Sequence, residues 1–111
     1  MKALELAKKY LVIFFQTQKF DSLYDIFSEN LDFEGPFFKS QKAKVYIDSL
    51  TESPWEACEY EILQEYGASN SACLIYKFRK GDKSTIMAQT FECSNGKIEK
   101  IRLIFNERDL T

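Results

Sequence analysis

Between Leu4 and Gln18 the residues Leu4, Ala7, Leu11, Phe14, Phe15 and Gln18 recur at helical spacing, and Tyr10 to Phe15 is apolar almost all round. That pattern predicts a helix buried on a wide face. Asp21 and Ser22 are capping residue types, and Phe20, Leu23, Tyr24 and Phe27 make one apolar stripe, so a second, short helix is predicted, stopped by Ser28-Glu29-Asn30. The two form an α-hairpin in this reading. Leu31 to Pro36 changes period, with Leu31, Phe33 and Gly35 on one face and Asp32 and Glu34 on the other, which suits a brief edge strand ended by the proline. Ser40 stands where it can cap a third helix, with Ala43, Tyr46, Ile47 and Leu50 on its buried face and Ser53-Pro54 closing it.

Beyond Trp55 the period is two. Cys58, Tyr60 and Ile62 oppose Glu59, Glu61 and Glu65, and a Gly67-Ala68-Ser69-Asn70 turn follows. Ala72 to Lys80 sets Leu74, Tyr76 and Phe78 against Cys73, Ile75, Lys77 and Arg79. Gly81-Asp82 turns into a strand from Lys83 to Cys93, and Asn95-Gly96, the strongest short hairpin signal in the chain, turns into Lys97 to Asn106. Helices first and a long meander afterwards predict the α+β class, three N-terminal helices packed against a strongly curved, mainly antiparallel sheet. Such a cone has room for a pocket.

Composition narrows the chemistry. At 111 residues the chain is read as one domain, 1–111, with one core. Ten Phe and six Tyr supply more apolar surface than one core requires, which suits a ligand cavity or a dimer face. The 15 basic and 17 acidic residues alternate without blocks, arguing against nucleic acid and against an anionic membrane surface. Charges thread the N-terminal segment and no apolar run reaches about 18 residues, so a soluble protein without a cleaved signal is expected. Cys58, Cys73 and Cys93 are odd in number and widely spaced; they are read as small apolar residues in a reducing cytoplasm, with a disulfide or reactive thiol as the alternative. There is no histidine, which removes Ser-His and Cys-His pairs, and no spacing favours a metal. No cofactor is expected. Any catalysis must use carboxylates, tyrosines, lysines or backbone.

The order and length of the elements resemble the ketosteroid isomerase-like, or nuclear transport factor 2-like, superfamily, which includes SnoaL-type polyketide cyclases. Phe33-Glu34-Gly35-Pro36 looks like the family's acid-proline corner, and the run from Asn95 to Phe105 looks like its closing hairpin. The resemblance implies a conical pocket for a hydrophobic small molecule and, in many members, a homodimer through the outer sheet face. It also implies, for isomerases, an aspartate base beside the proline and an oxyanion hole made by a first-helix tyrosine and a protonated late-strand acid. Here the base position falls on Gly35, the late acid falls near Gln89, and Tyr10 keeps the tyrosine.

The candidate pocket is therefore lined by Phe14, Phe33, Gly35, Gln89 and Phe91. Gln89 is the most informative of these, because it shares a strand face with Thr85, Met87, Phe91 and Cys93, and an amide there needs partners. It is either a buried structural amide or one that orients a ligand. Glu34 and Tyr10 are the catalytic candidates for an isomerase- or lyase/cyclase-type reaction, provided that a bulge turns Glu34 inward. Without that bulge Asp32 and Glu34 are solvated acids. Tyr10 and Tyr46 are each either core tyrosines or pocket donors, Trp55 either packs the helix end or lines a pocket mouth, and Phe37-Phe38 is either a lid or a dimer contact. The function expected is a small-molecule binder with catalysis left open; the alternatives are a non-catalytic dimeric interaction module and an isomerase- or cyclase-like enzyme built on Glu34 with Tyr10.

Overall fold

The computed structural model describes residues 2–52 and 58–111; Ser53, Pro54 and Trp55, and with them the predicted helix end and the readings of Trp55, lie outside the described residues. Helix α1 spans Ala3–Val12 and buries Ala3, Leu6, Ala7, Tyr10 and Leu11 at helical spacing. Glu5 in its first turn and Lys9 in its last complement the helix dipole. The predicted helix reaches Gln18 in extent but not in pitch. Ile13–Thr17 is a single π turn, closed by Gln18 at φ 53°, whose N–H donates to the Ile13 carbonyl at 2.8 Å. Val12 to Phe15 is apolar on every side, and the wider turn brings both Phe14 and Phe15 toward the sheet. Their rings meet at 4.8 Å, and Phe15 stacks on Tyr60 at 4.6 Å.

The second predicted helix is only a 3₁₀ turn, Phe20–Asp25, and Ser22 does not cap it but donates back to the Lys19 carbonyl at 2.6 Å. Carbonyls that a longer helix would use internally are taken by the far end of the chain. Ile26 accepts from the Ile98 N–H at 2.7 Å, and Asp25 accepts from Lys97 Nζ. Strand β1, Phe27–Glu34, therefore starts four residues before Leu31 and contains the Ser28-Glu29-Asn30 segment read as a helix stop. After β1 the Gly35 N–H donates to the Phe38 carbonyl at 2.9 Å, closing a turn into the two-residue strand β2, Lys39–Ser40. Ser40 is thus opposite Phe33 in the sheet rather than capping helix α2, Ala43–Glu52, and its buried Oγ has no hydrogen-bond partner among the described residues.

Strands β3 (Glu59–Gly67), β4 (Ser71–Lys80), β5 (Lys83–Ser94) and β6 (Lys97–Ile104) form the expected meander, followed by a 3₁₀ turn at Glu107–Leu110. The sheet order is β2-β1-β6-β5-β4-β3. Strand β1 is therefore not an edge; it runs parallel to β6 and antiparallel to β2. The result is an α+β fold with a mixed, open sheet. Asn95 at φ 54° and Gly96 at φ 74° are the two positive-φ positions that a type I′ hairpin needs. Extra residues at Leu63 in β3 and Glu99 in β6 shift the register and bend those strands. The Glu99 bulge also restores the pattern beyond it, so that Ile101 stands opposite Phe91 and Leu103 opposite Gln89.

Helices α1 and α2 cover one face of this sheet. Leu31, Leu74, Phe78, Phe91, Ile98 and Ile101 are almost completely buried beneath them, each stabilising the fold by roughly 1.5–3 kcal/mol relative to exposure. The outer face carries Glu59 and Glu61, opposite Arg79 and Lys77, as the alternation predicts; Glu65 departs from it, because the extra residue at Leu63 turns it to the helix-covered side, opposite Leu74 and 2.9 Å from Lys8 Nζ. Because Gly96 sits in a left-handed conformation with nothing within 4 Å of a built Cβ, Gly96→Ala is expected to cost about 1–2 kcal/mol through backbone strain alone. Chemical denaturation of the two proteins measures it; an unchanged midpoint contradicts the turn.

Candidate functional site

A cavity of about 340 Å³ opens between the helices and the inner sheet face. The π turn contributes Phe14 and Phe15 to its wall, β1 and the following turn contribute Phe33, Gly35, Pro36, Phe37 and Phe38, and α2 contributes Tyr46, Ser49 and Leu50. Tyr76 and Phe78 from β4, Met87 and Gln89 from β5, and Leu103 and Phe105 from the last strand and its exit complete it with Tyr10 and Leu11. No acidic or basic side chain is among these residues. At the outer end Phe37, 58% exposed, meets Phe105 edge-on at 5.4 Å, so the Phe37-Phe38 pair lies at the cavity and Phe38 packs on Phe33 and Tyr46.

The polar groups gather at the inner end. Gln89 is 1% exposed, and its Oε1 accepts the Tyr76 hydroxyl proton at 2.8 Å. The Tyr10 and Tyr46 hydroxyl oxygens are 2.5 Å apart. Burial pushes Tyr10 up to about 12, while hydrogen bonds with Tyr46 and Gln89 act in the opposite direction. Burial, and then Tyr10 itself, hold Tyr46 well above the ordinary phenol value. Either hydroxyl can donate across this contact. Burial first, then Tyr10, likewise raises Tyr76 well above the phenol range. Tyr10, Tyr46, Gln89 and Tyr76 are thus one neutral chain of hydrogen bonds in which every phenol keeps its proton at physiological pH.

Of the sequence-derived pocket residues, Phe14, Phe33, Gly35 and Gln89 line the cavity together with Tyr10. Phe91 does not; it is fully buried behind the wall, edge-on to Tyr10 at 5.8 Å. Glu34 is not in the lining either. Register is regular from Asp32 to Glu34, the irregularity lying between Phe27 and Asp32, so no bulge turns this carboxylate inward. It lies on the opposite face, with Lys39 Nζ at 3.0 Å and Arg102 Nε at 3.2 Å, and the Lys39 hydrogen bond foremost lowers its pKa. Arg102 also binds Asp32, with 3.1 Å between its Nη2 and Oδ2. The bare Gly35 is not forced by packing, since an added Cβ would meet Phe33 and Leu103 at 3.4–3.5 Å, an ordinary contact.

Tyr76 was read from the sequence only as an inward strand residue. A signal for its role was present, because the Gly81-Asp82 turn pairs Lys80 with Lys83 and carries Tyr76 to a position diagonal to Gln89. Phe15, Phe105 and Leu103 gave no such signal, as their placement depends on the π turn and the Glu99 bulge. Chemically the site can hold a mostly apolar molecule and polarise one oxygen through neutral donors. Among the described residues its lining includes no carboxylate.

No protein-family model and no curated protein matches the sequence. Solved structures match the fold over almost the whole chain. A nuclear transport factor 2-like protein of unknown function from Cytophaga hutchinsonii superposes with a TM-score of 0.81 at 19% identity, covering 99% of this chain and 96% of that one. An LEH-like epoxide hydrolase from M. tuberculosis gives 0.80 at 16% identity, covering 96% and 84%. A candidate SnoaL-like polyketide cyclase from Shewanella putrefaciens gives 0.80 at 13% identity, covering 95% and 80%. These likenesses bear out the resemblance in fold: the chain has the nuclear transport factor 2-like, ketosteroid isomerase-like cone.

The phenol cluster makes stability pH-dependent in a defined window. Below the unfolded value of 10.0 Tyr10 is neutral in both states; between there and its folded value of about 12 only the unfolded chain releases the proton, so stability falls. Two units correspond to about 3 kcal/mol from Tyr10, with Tyr46 and Tyr76 acting in the same direction. Denaturant unfolding at pH 8 and pH 11.5 should show a loss that Tyr10→Phe reduces. Equal losses in both proteins contradict the assignment.

Proposed function

We propose that this chain, with the cone fold of the nuclear transport factor 2-like proteins, is a single-domain small-molecule-binding protein. Its ligand is an apolar molecule of one or two rings bearing one hydrogen-bond-accepting oxygen, such as a carbonyl. The observation that carries the reading is the Tyr10, Tyr46, Gln89 and Tyr76 cluster at the end of an aromatic cavity whose described lining residues carry no charge. A cavity of about 340 Å³ is at the small end of the range typical for ligand sites. In this reading Tyr10 accepts from Tyr46, 2.5 Å away, and from the Gln89 amide, and its own O–H is directed to an acceptor in the cavity. The ligand oxygen supplies that acceptor.

Binding without turnover follows from the same residues. A Tyr10 donor polarises a carbonyl, yet isomerisation, cyclisation or a lyase step also needs a base, and Glu34 is held outside by Lys39 and Arg102. The dimer implied by the resemblance is supported by an apolar row on the outer face. Ile75, Ala88 and Ile104 are in register across β4, β5 and β6, and Ile86 lies beside them; Ile104 is 64% and Ile86 50% exposed. Half-buried free thiols at Cys73 and Cys93 support a reducing cytoplasm, and no described helix is long and apolar enough to cross a membrane.

Titration calorimetry with 2-acetylnaphthalene, an aromatic ketone, tests the reading. Tyr10→Phe and Gln89→Leu are each expected to weaken binding about 3- to 10-fold, the worth of one neutral hydrogen bond, and Glu34→Gln to leave it unchanged. No heat with the wild type, or full binding by Tyr10→Phe, removes the reading. Sedimentation of Ile104→Glu is expected to show a monomer where the wild type is a dimer; a wild-type monomer sinks the dimer.

A further inference from the structure

The amide of Gln89 has two ends of nearly equal size and opposite hydrogen-bonding character. Turned one way it presents N–H groups to Tyr10; turned the other way it presents a carbonyl that would absorb the Tyr10 proton. Nothing steric separates the two states, so hydrogen bonding alone chooses. Strand register puts Gln89 opposite Leu74 and Tyr76 opposite Met87, both side chains on the inner face and each 2% exposed or less. From that diagonal position the Tyr76 hydroxyl reaches Oε1 at 2.8 Å. A phenol buried here without an acceptor is costly, and Oε1 is the acceptor that it has.

We propose that Tyr76 is the positioning residue that fixes the orientation of the Gln89 amide, and thereby makes the cavity select ligands that accept hydrogen bonds over ligands that donate them. It acts through Gln89 rather than by spending its own proton on the ligand. With Oε1 tied to Tyr76, Nε2 faces Tyr10, and Tyr10 keeps a proton for the ligand. A ketone oxygen accepts there, whereas an alcohol of the same skeleton brings a further O–H to an end of the cavity whose amide presents N–H groups and whose Oε1 is already engaged by Tyr76. Without the Tyr76 hydroxyl the amide can turn, Oε1 can accept from either Tyr10 or an alcohol, and the preference disappears. The inference rests on the binding reading above and adds which residue sets selectivity.

The test compares 2-acetylnaphthalene with 1-(2-naphthyl)ethanol on the wild type and on Tyr76→Phe. The wild type is expected to prefer the ketone about tenfold, the scale of leaving one buried donor unpaired, and the variant to bind both within about a factor of two. A variant that keeps the wild-type ratio overturns the role of Tyr76 while the binding reading stands. A wild type that binds neither compound removes both. Should Tyr76→Phe fail to fold, NMR of the wild type decides: nuclear Overhauser contacts from the Gln89 side-chain amide protons to the Tyr10 ring are expected, and contacts to the Tyr76 ring alone overturn the orientation.

Discussion

An amide buried on an apolar strand face must be hydrogen-bonded within the protein, and the inner end of this molecule is arranged around that requirement. Gln89 sits between Met87 and Phe91 on β5, beneath two helices and 1% exposed. Its partners come from three separate parts of the chain: Tyr76 from the neighbouring strand, Tyr10 from α1, and Tyr46 from α2 through Tyr10. Each phenol is itself buried and requires a partner. The cluster therefore ties helix to sheet with polar contacts where the surrounding packing is nearly all apolar, and it does so without any charge.

The same economy separates the acids of β1 from the phenol cluster. A carboxylate base near this cluster would have to be buried among Phe33, Leu103 and Phe105, which would raise its pKa toward neutrality and make it useful. The acids of β1 have instead been placed on the other face of the strand, where Arg102 and Lys39 keep them ionised. One strand thus separates two environments by the pleat alone. Phe33 stacks on Tyr46 with ring centroids 4.3 Å apart on the cavity side, while Asp32 and Glu34 grip Arg102 behind it.

Departures from regular structure shape the cavity. The π turn at Ile13–Thr17 brings two consecutive phenylalanines to the wall, and the Glu99 bulge returns Ile101 and Leu103 to the inner face after two polar residues. Both were visible in the sequence as faults in a pattern. Val12 to Phe15 is too apolar for one helical stripe, and Glu99-Lys100 interrupts strand alternation. A fault in a period shows that something gives way, but many local geometries repair it, and which one occurs depends on the surface packed against it.

Local periodicity by itself determined the class of the fold, the four-strand meander, the inward set Leu74, Tyr76, Phe78, Met87, Gln89 and Phe91, and the alternation that sets Asp32 and Glu34 against Phe33, while the regular register of β1 decided that Glu34 does not turn inward. It did so because burial of one face of a helix or strand is written at fixed spacing, and because Asn95-Gly96 admits few turns. Tertiary structure alone decided that the second helix shrinks to a 3₁₀ turn, that β1 begins at Phe27 beside the distant β6, that Ser40 enters the sheet, and that Phe91 stands behind the wall. The first two depend on hydrogen bonds between residues some 70 positions apart, such as Ile26 with Ile98, and no local pattern encodes a partner that far along the chain; the last two depend on which surfaces pack together around the cavity.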